Sequence, residues 1–146
     1  MNACQPPPFP KRKKKFPKSI ASVDPVEVTR ARTWAAGRLS CTGRIDDVQL
    51  VVGELLANAL QHAPRPRAAG APVALLGLVE TPPCVEVRVW SRRPELVEMA
   101  ARCPDGEAES GRGLLLVEAV ADAWGWNAVG SWMVVWARFG VGGGRR

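Results

Sequence analysis

The stretch ELLANALQH, residues 54–62, decides how the rest of the chain is read. Leu55, Leu56, Ala59 and Leu60 are apolar helix formers, and Val48, Val51 and Val52 precede them at helical spacing. A helix is therefore expected from Asp46 or Asp47 onward, stopped by Pro64 and Pro66. Along it Glu54, Asn58 and His62 recur at every fourth position, so a carboxylate, an amide and an imidazole share one seam. An asparagine carbonyl oxygen is a hard ligand suited to Mg²⁺. A carboxylate one turn away can orient or deprotonate a hydroxyl or a water. A solvated polar seam, or polar groups satisfied locally, would leave the same trace in the sequence. His62 stands at the helix end, where a cation suits the dipole.

Upstream, Asp24-Pro25 has the form of an N-cap followed by proline at the first helical position. The helix it opens is expected to run to about Leu39, with Val26, Ala31, Trp34, Ala35 and Leu39 as a ragged apolar face. Downstream, VALLGLVE (residues 73–80) and CVEVRVW (84–90) read as strands joined through TPPC. Val85, Val87 and Val89 alternate with Glu86 and Arg88, the mark of a half-buried strand. Residues 94–109 are polar and irregular. ESGRGLLLVEAVADAWG then reads as a Gly-rich turn at Gly111 and Gly113 followed by a third helix. WMVVWARF (132–139) reads as a last strand, with 124–129 as its partner. The order helix, helix, hairpin, loop, helix, hairpin predicts a two-layer α+β sandwich. Its sheet is mixed but mostly antiparallel and is covered on one face by three helices.

At 146 residues this is one domain large enough to bury a core. Its 47% hydrophobic and 23% charged residues are ordinary for a globular protein. The net charge of +6 comes entirely from Lys11, Arg12, Lys13, Lys14, Lys15 and Lys18, because the remainder balances 14 arginines against 14 acids. Residues 1–21 are thus read as a disordered basic tail, 22–140 as the domain and 141–146 as a flexible end. Such a tail allows weak nucleic-acid contact, but the neutral body does not argue for it. No apolar run is long enough for a membrane span. The start lacks the apolar region of a secretory signal, so a cytoplasmic location is expected. Cys4, Cys41, Cys84 and Cys103 show no CxxC spacing and read as free thiols. Of the six tryptophans, most should pack in the core or on the sheet. Trp132 and Trp136 share one face of the last strand and would mark a partner surface if that face is open.

Glycines before a helix let a backbone approach an anion at the helix start, although a plain tight turn would look the same. Taken together, ELLANALQHA, a hairpin, a loop and GRGLLLVEAVADAWG resemble the Bergerat-fold ATPases, the superfamily of gyrase, the heat-shock chaperone ATPase and histidine kinases. Within it the small size is most similar to the anti-sigma-factor serine/threonine kinases. The resemblance covers roughly residues 20–140. It implies ATP and Mg²⁺ as cofactors, Glu54 as general base and Asn58 as metal ligand. Gly111, Arg112 and Gly113, followed by Leu114, would cover the phosphates, and residues 94–109 would form the lid. It also implies a sigma factor and an antagonist protein as partners, with a homodimer left open.

The chain departs from the family where an aspartate should accept the adenine amino group. In VEVRVWSRRPEL that position falls at Val89 or Ser91, and neither is acidic. Ser91 Oγ or a water is the remaining acceptor, and Arg92 and Arg93 are surface arginines or phosphate contacts. Two functions follow from the resemblance. One is a kinase that phosphorylates a Ser/Thr of an antagonist. The other is a catalytically silent binding module with weak or no ATP binding.

Overall fold

The computed structural model describes residues 14–39, 43–63, 68–81, 84–92 and 108–140. Three helices, α1 (Val26–Arg38), α2 (Ile45–His62) and α3 (Ala108–Val120), pack against one five-stranded sheet. The strands are β1 (Lys14–Ile20), β2 (Ala74–Thr81), β3 (Cys84–Arg92), β4 (Ala123–Val129) and β5 (Trp132–Gly140). They lie in the order β1-β2-β3-β5-β4. The two-layer sandwich is as expected. All pairings among the described strands are antiparallel, so no parallel pair makes this part of the sheet mixed.

Local chemistry explains the boundaries. Asp24 Oδ1 accepts the Val26 N–H at 2.9 Å, and Pro25 already has helical angles, so the Asp-Pro pair starts α1. Val26 itself is exposed at 42%, not on the buried face; Ala31, Ala35 and Leu39 are buried there, and Val28 packs alongside them. Helix α2 stops at His62 because Ala63 is extended at φ −67, ψ 132, the conformation imposed on a residue before proline. Gly130, at φ +60, opens the tight turn between β4 and β5, where a side chain would be strained.

Strand β1 corrects the reading of residues 1–21 as a tail. Lys14–Ile20 pairs antiparallel with β2, with Lys18 opposite Leu76 and Ile20 opposite Ala74. Pro17 argues against a central strand but is tolerated here because β1 is an edge. Ile20 is fully buried, and the Lys18 ammonium lies 6.0 Å from the centre of the Trp34 ring on α1. Residues 1–13 and 141–146 lie outside the described residues.

The core lies between α2 and the sheet. Val48, Val51, Val52, Leu55 and Leu56 meet Leu76, Leu78, Val85, Val87, Val89, Ala137 and Phe139. Each such side chain contributes on the order of 1.5–3 kcal/mol by leaving water. Helix α2 is central and packs against both α1 and α3. Its approach to α1 is close at Gly53, where an added Cβ would stand 3.1 Å from Arg32 Cδ.

The opposite face of the sheet carries no helix among the described residues, yet Val79, Glu86, Val134 and Trp136 on it are at most 5% exposed. Their own neighbours seal them. The Trp136 indole lies over Gly125 on β4, where a Cβ would stand 2.8 Å from Cζ2, and the Arg138 guanidinium lies 5.7 Å from the ring centre. Glycine at 125 is thus the space the indole fills. Gly125→Ala is expected to cost about 1–3 kcal/mol through overpacking. Urea denaturation would show it as a lower midpoint, and an unchanged midpoint would mean that the indole moves aside freely.

Candidate functional site

The Glu54–Asn58 seam lies where the sequence places it, and α2 explains its setting. At about 100° per residue, the side of α2 that meets α1 carries Gln49 and Gly53. Glu54 and Asn58 fall on the other flank, towards α3, at the border of the buried stripe. Both are half-buried. Asn58 Oδ1 is buried without a hydrogen-bond partner. A buried acceptor left unsatisfied costs roughly 1–3 kcal/mol, so a fold keeps one only for a reason. The Glu54 carboxylate makes no ion pair with a described residue. His62 has an interaction of its own within the fold and is half-buried, as suits a helix-end residue.

Ser91 and Val89 both face the helices, because register parity groups them with the buried Val85 and Val87. Val89 is 2% exposed and belongs to the core cluster. Ser91 is 8% exposed, lies outside that cluster and sits one residue from the end of β3, between Ala74 and Met133. Of the two positions left open by the sequence, Ser91 is therefore the one at the mouth of the helix–sheet interface. Arg92 points to the other face and lies 5.9 Å from the centre of the Trp132 ring, so it is not a contact of this site.

The Gly-rich segment differs from expectation. Helix α3 begins at Ala108, so Gly111, Arg112 and Gly113 lie within its first two turns and not in a turn ahead of it. Each interior glycine costs roughly 1 kcal/mol relative to alanine, and burial of Val117 with Leu114 and Val120 packed on the core offsets it. Leu114 is half-buried and packs on the core. The proposed lid, 94–109, lies outside the described residues except for its last two, which are helical.

Sequence reasoning missed Arg44, which fastens α2 to α3. Its Nη1 donates to both oxygens of Asp122 at 3.1 and 3.0 Å, and its Nε to Asp47 Oδ2 at 3.2 Å. Nη2 donates to the Val120 carbonyl, the last residue of α3, where a cation favours the helix dipole. The guanidinium also lies 5.1 Å from the centre of the Phe139 ring. A lone arginine ahead of a helix carries no sequence signal for a contact 78 residues away.

Could this site hold a metal? Among the described residues no group of three His, Cys, Asp or Glu side chains could do so. A cation at Asn58 would draw its other ligands from water and phosphate, the usual coordination of Mg²⁺. The orphaned Oδ1 fits that demand.

A family model covers most of the chain, matching residues 16–139 with the histidine kinase-like ATPase domain. The chain belongs to the histidine kinase-like ATPase family. Among curated proteins, none matches it. Membership in this ATPase family implies ATP as the ligand, and the matched span runs from within β1 through α2 and α3 into β5. No described helix is long and apolar enough to cross a membrane. Cys84 is a free, half-buried thiol; the other three cysteines lie outside the described residues.

Proposed function

We propose that this histidine kinase-like ATPase domain binds Mg·ATP on the α2–α3 side of its sheet and transfers the γ-phosphoryl group to a serine or threonine of an antagonist protein in a sigma-factor partner switch. The observation that carries the nucleotide site is Asn58 Oδ1, a buried acceptor without a partner, one turn from Glu54, whose carboxylate makes no ion pair among the described residues. The serine/threonine specificity, the sigma factor and the antagonist rest on the resemblance alone.

When bound, Mg·ATP supplies the phosphoryl group and neutralises charge as that group leaves ADP. The chain's own residues do the positioning. Asn58 holds the cation through Oδ1. Glu54 accepts the proton of the attacking hydroxyl as its oxygen bonds to phosphorus. The free backbone N–H groups at the start of α3, ahead of Gly111–Gly113, attract phosphate. Titration of Mg·ATP into the protein tests the first step, and radiolabel transfer to candidate antagonists tests the second. An absence of binding at millimolar ATP would overturn the nucleotide reading.

Ser91 supports a second reading, in which the module binds its partner without turnover. Adenine there meets no carboxylate, and a missing hydrogen bond costs about 1–3 kcal/mol, or roughly tenfold to over a hundredfold in affinity. Ser91→Asp is therefore expected to tighten ATP binding by about tenfold or more while lowering stability without nucleotide, since a carboxylate would enter an 8% exposed position. Unchanged affinity on calorimetry would mean that the base does not reach residue 91.

A further inference from the structure

The sheet face turned away from the helices has a definite chemistry. Register parity brings Arg88, Arg92 and Arg138 to it against one carboxylate, Glu86. Glu86 is 1% exposed, and its two oxygens accept from Arg88 at 2.6 Å and Arg138 at 3.0 Å. The guanidiniums keep 20% and 30% of their side-chain surface in solvent, so the face presents arginine to a partner. Leu75 and Val129 lie on the same face, exposed at 36% and 48%, Leu75 opposite half-buried Trp90 and Val129 opposite half-buried Trp132. Apolar side chains flanked by arginine and tryptophan are the composition of protein-binding hot spots, and the excess of arginine selects the sign of the partner.

We propose that this open face docks an acidic surface of another protein, one that presents apolar side chains among Asp and Glu. Other occupants fit the chemistry less well. A second copy would set the same positive excess against itself. The chain's ends beyond the described residues carry Lys11, Arg12, Lys13, Arg145 and Arg146, which are also the wrong sign. Nucleic acid would need open indole faces for base stacking. Trp136 is covered by Gly125 and Arg138, Trp132 has Arg92 over its ring, and Trp90 is half-buried between Leu75 and Val134. The docking surface lies across the sheet from Asn58, so it does not depend on the nucleotide site.

The test uses the full chain and fluorescence anisotropy with a labelled peptide of alternating Leu and Glu. The controls are a Leu/Lys peptide, a Ser/Glu peptide that can engage only charge, and oligo-dT. The Leu/Glu peptide is expected to bind and to lose tenfold or more in affinity with Leu75→Glu and with Arg92→Glu, at unchanged circular dichroism. Both positions are surface sites outside the Glu86 ion pairs. Any of four results would overturn the proposal. They are no binding at about 1 mM peptide, affinity unmoved by both substitutions, equal affinity for the Ser/Glu peptide or oligo-dT, and self-association abolished by the same substitutions. An occupant from within the chain, such as the stretch holding Glu95, Glu98, Asp105 and Glu107, would show itself as the first of these.

Discussion

Asn58→Ala is expected to abolish Mg·ATP binding on calorimetry while leaving the domain as stable as before or more stable. The two effects share one cause. Oδ1 is buried without a partner, so the folded protein bears a desolvation penalty of roughly 1–3 kcal/mol at this position. Removing the amide lifts that penalty and leaves a small gap at the half-buried edge of α2, which solvent or neighbouring side chains can fill. A metal ligand, by contrast, has no substitute there, because no described cluster of His, Cys, Asp and Glu stands by to replace it. The combination of lost binding with retained or raised stability separates a functional residue from a structural one. If Asn58→Ala instead destabilises the domain by 2 kcal/mol or more, the amide is a structural group and the site reading fails. Glu54 allows a milder companion substitution, since Glu54→Gln should keep nucleotide affinity and lose transfer.

Arg44→Ala is expected to cost about 2–3 kcal/mol of folding stability. The Arg44 side chain is 12% exposed and is tied to Asp122, Asp47 and the final carbonyl of α3. Breaking a buried ion pair from one side costs about 3–5 kcal/mol. The two carboxylates are 38% and 39% exposed, so water recovers part of that. Asp122 also accepts the Gly140 N–H, and this bond holds it in place after the arginine is gone. Arg44→Lys should recover less than half of the loss, because one ammonium cannot reach Asp122, Asp47 and the Val120 carbonyl at once. Guanidinium denaturation would read both variants as lower midpoints at an unchanged slope. A loss below about 0.5 kcal/mol would place Arg44 among ordinary surface pairs.

Much of the fold is legible in the sequence because its signals are local. The apolar spacing of α2, the Asp24-Pro25 start of α1 and the alternation of Val85, Val87 and Val89 each express one period of one element. Strand β1 is not legible because KKFPKSI sets three lysines and a proline against the local rules for a strand; its pairing comes from the free edge of β2. The start of α3 is misread for a related reason. Gly111 and Gly113 signal a turn, and the helix runs through them from residues further upstream. The sealed outer face depends on Gly125 meeting Trp136 across a register that no single segment encodes. In the candidate site, Glu54 and Asn58 are legible because four-residue spacing guarantees a shared flank. The orientation of Ser91 follows from parity once β3 is known. The Arg44 contacts join segments far apart in the chain and leave no trace in either one.

Strand β1 has a practical consequence. Every lysine of the chain falls between Lys11 and Lys18, and Lys14, Lys15 and Lys18 sit on this edge strand. A reagent directed at side-chain amines, whether a biotin ester, a dye or an immobilising resin, therefore meets Lys14, Lys15 and Lys18 along one border of the sheet. No lysine lies at Asn58 or at the Arg92–Trp132 end of the outer face, which β2 separates from β1. Anchored in this way, all molecules present both broad surfaces in one orientation, so the nucleotide and the acidic peptide can be assayed on the same chip without either blocking the other.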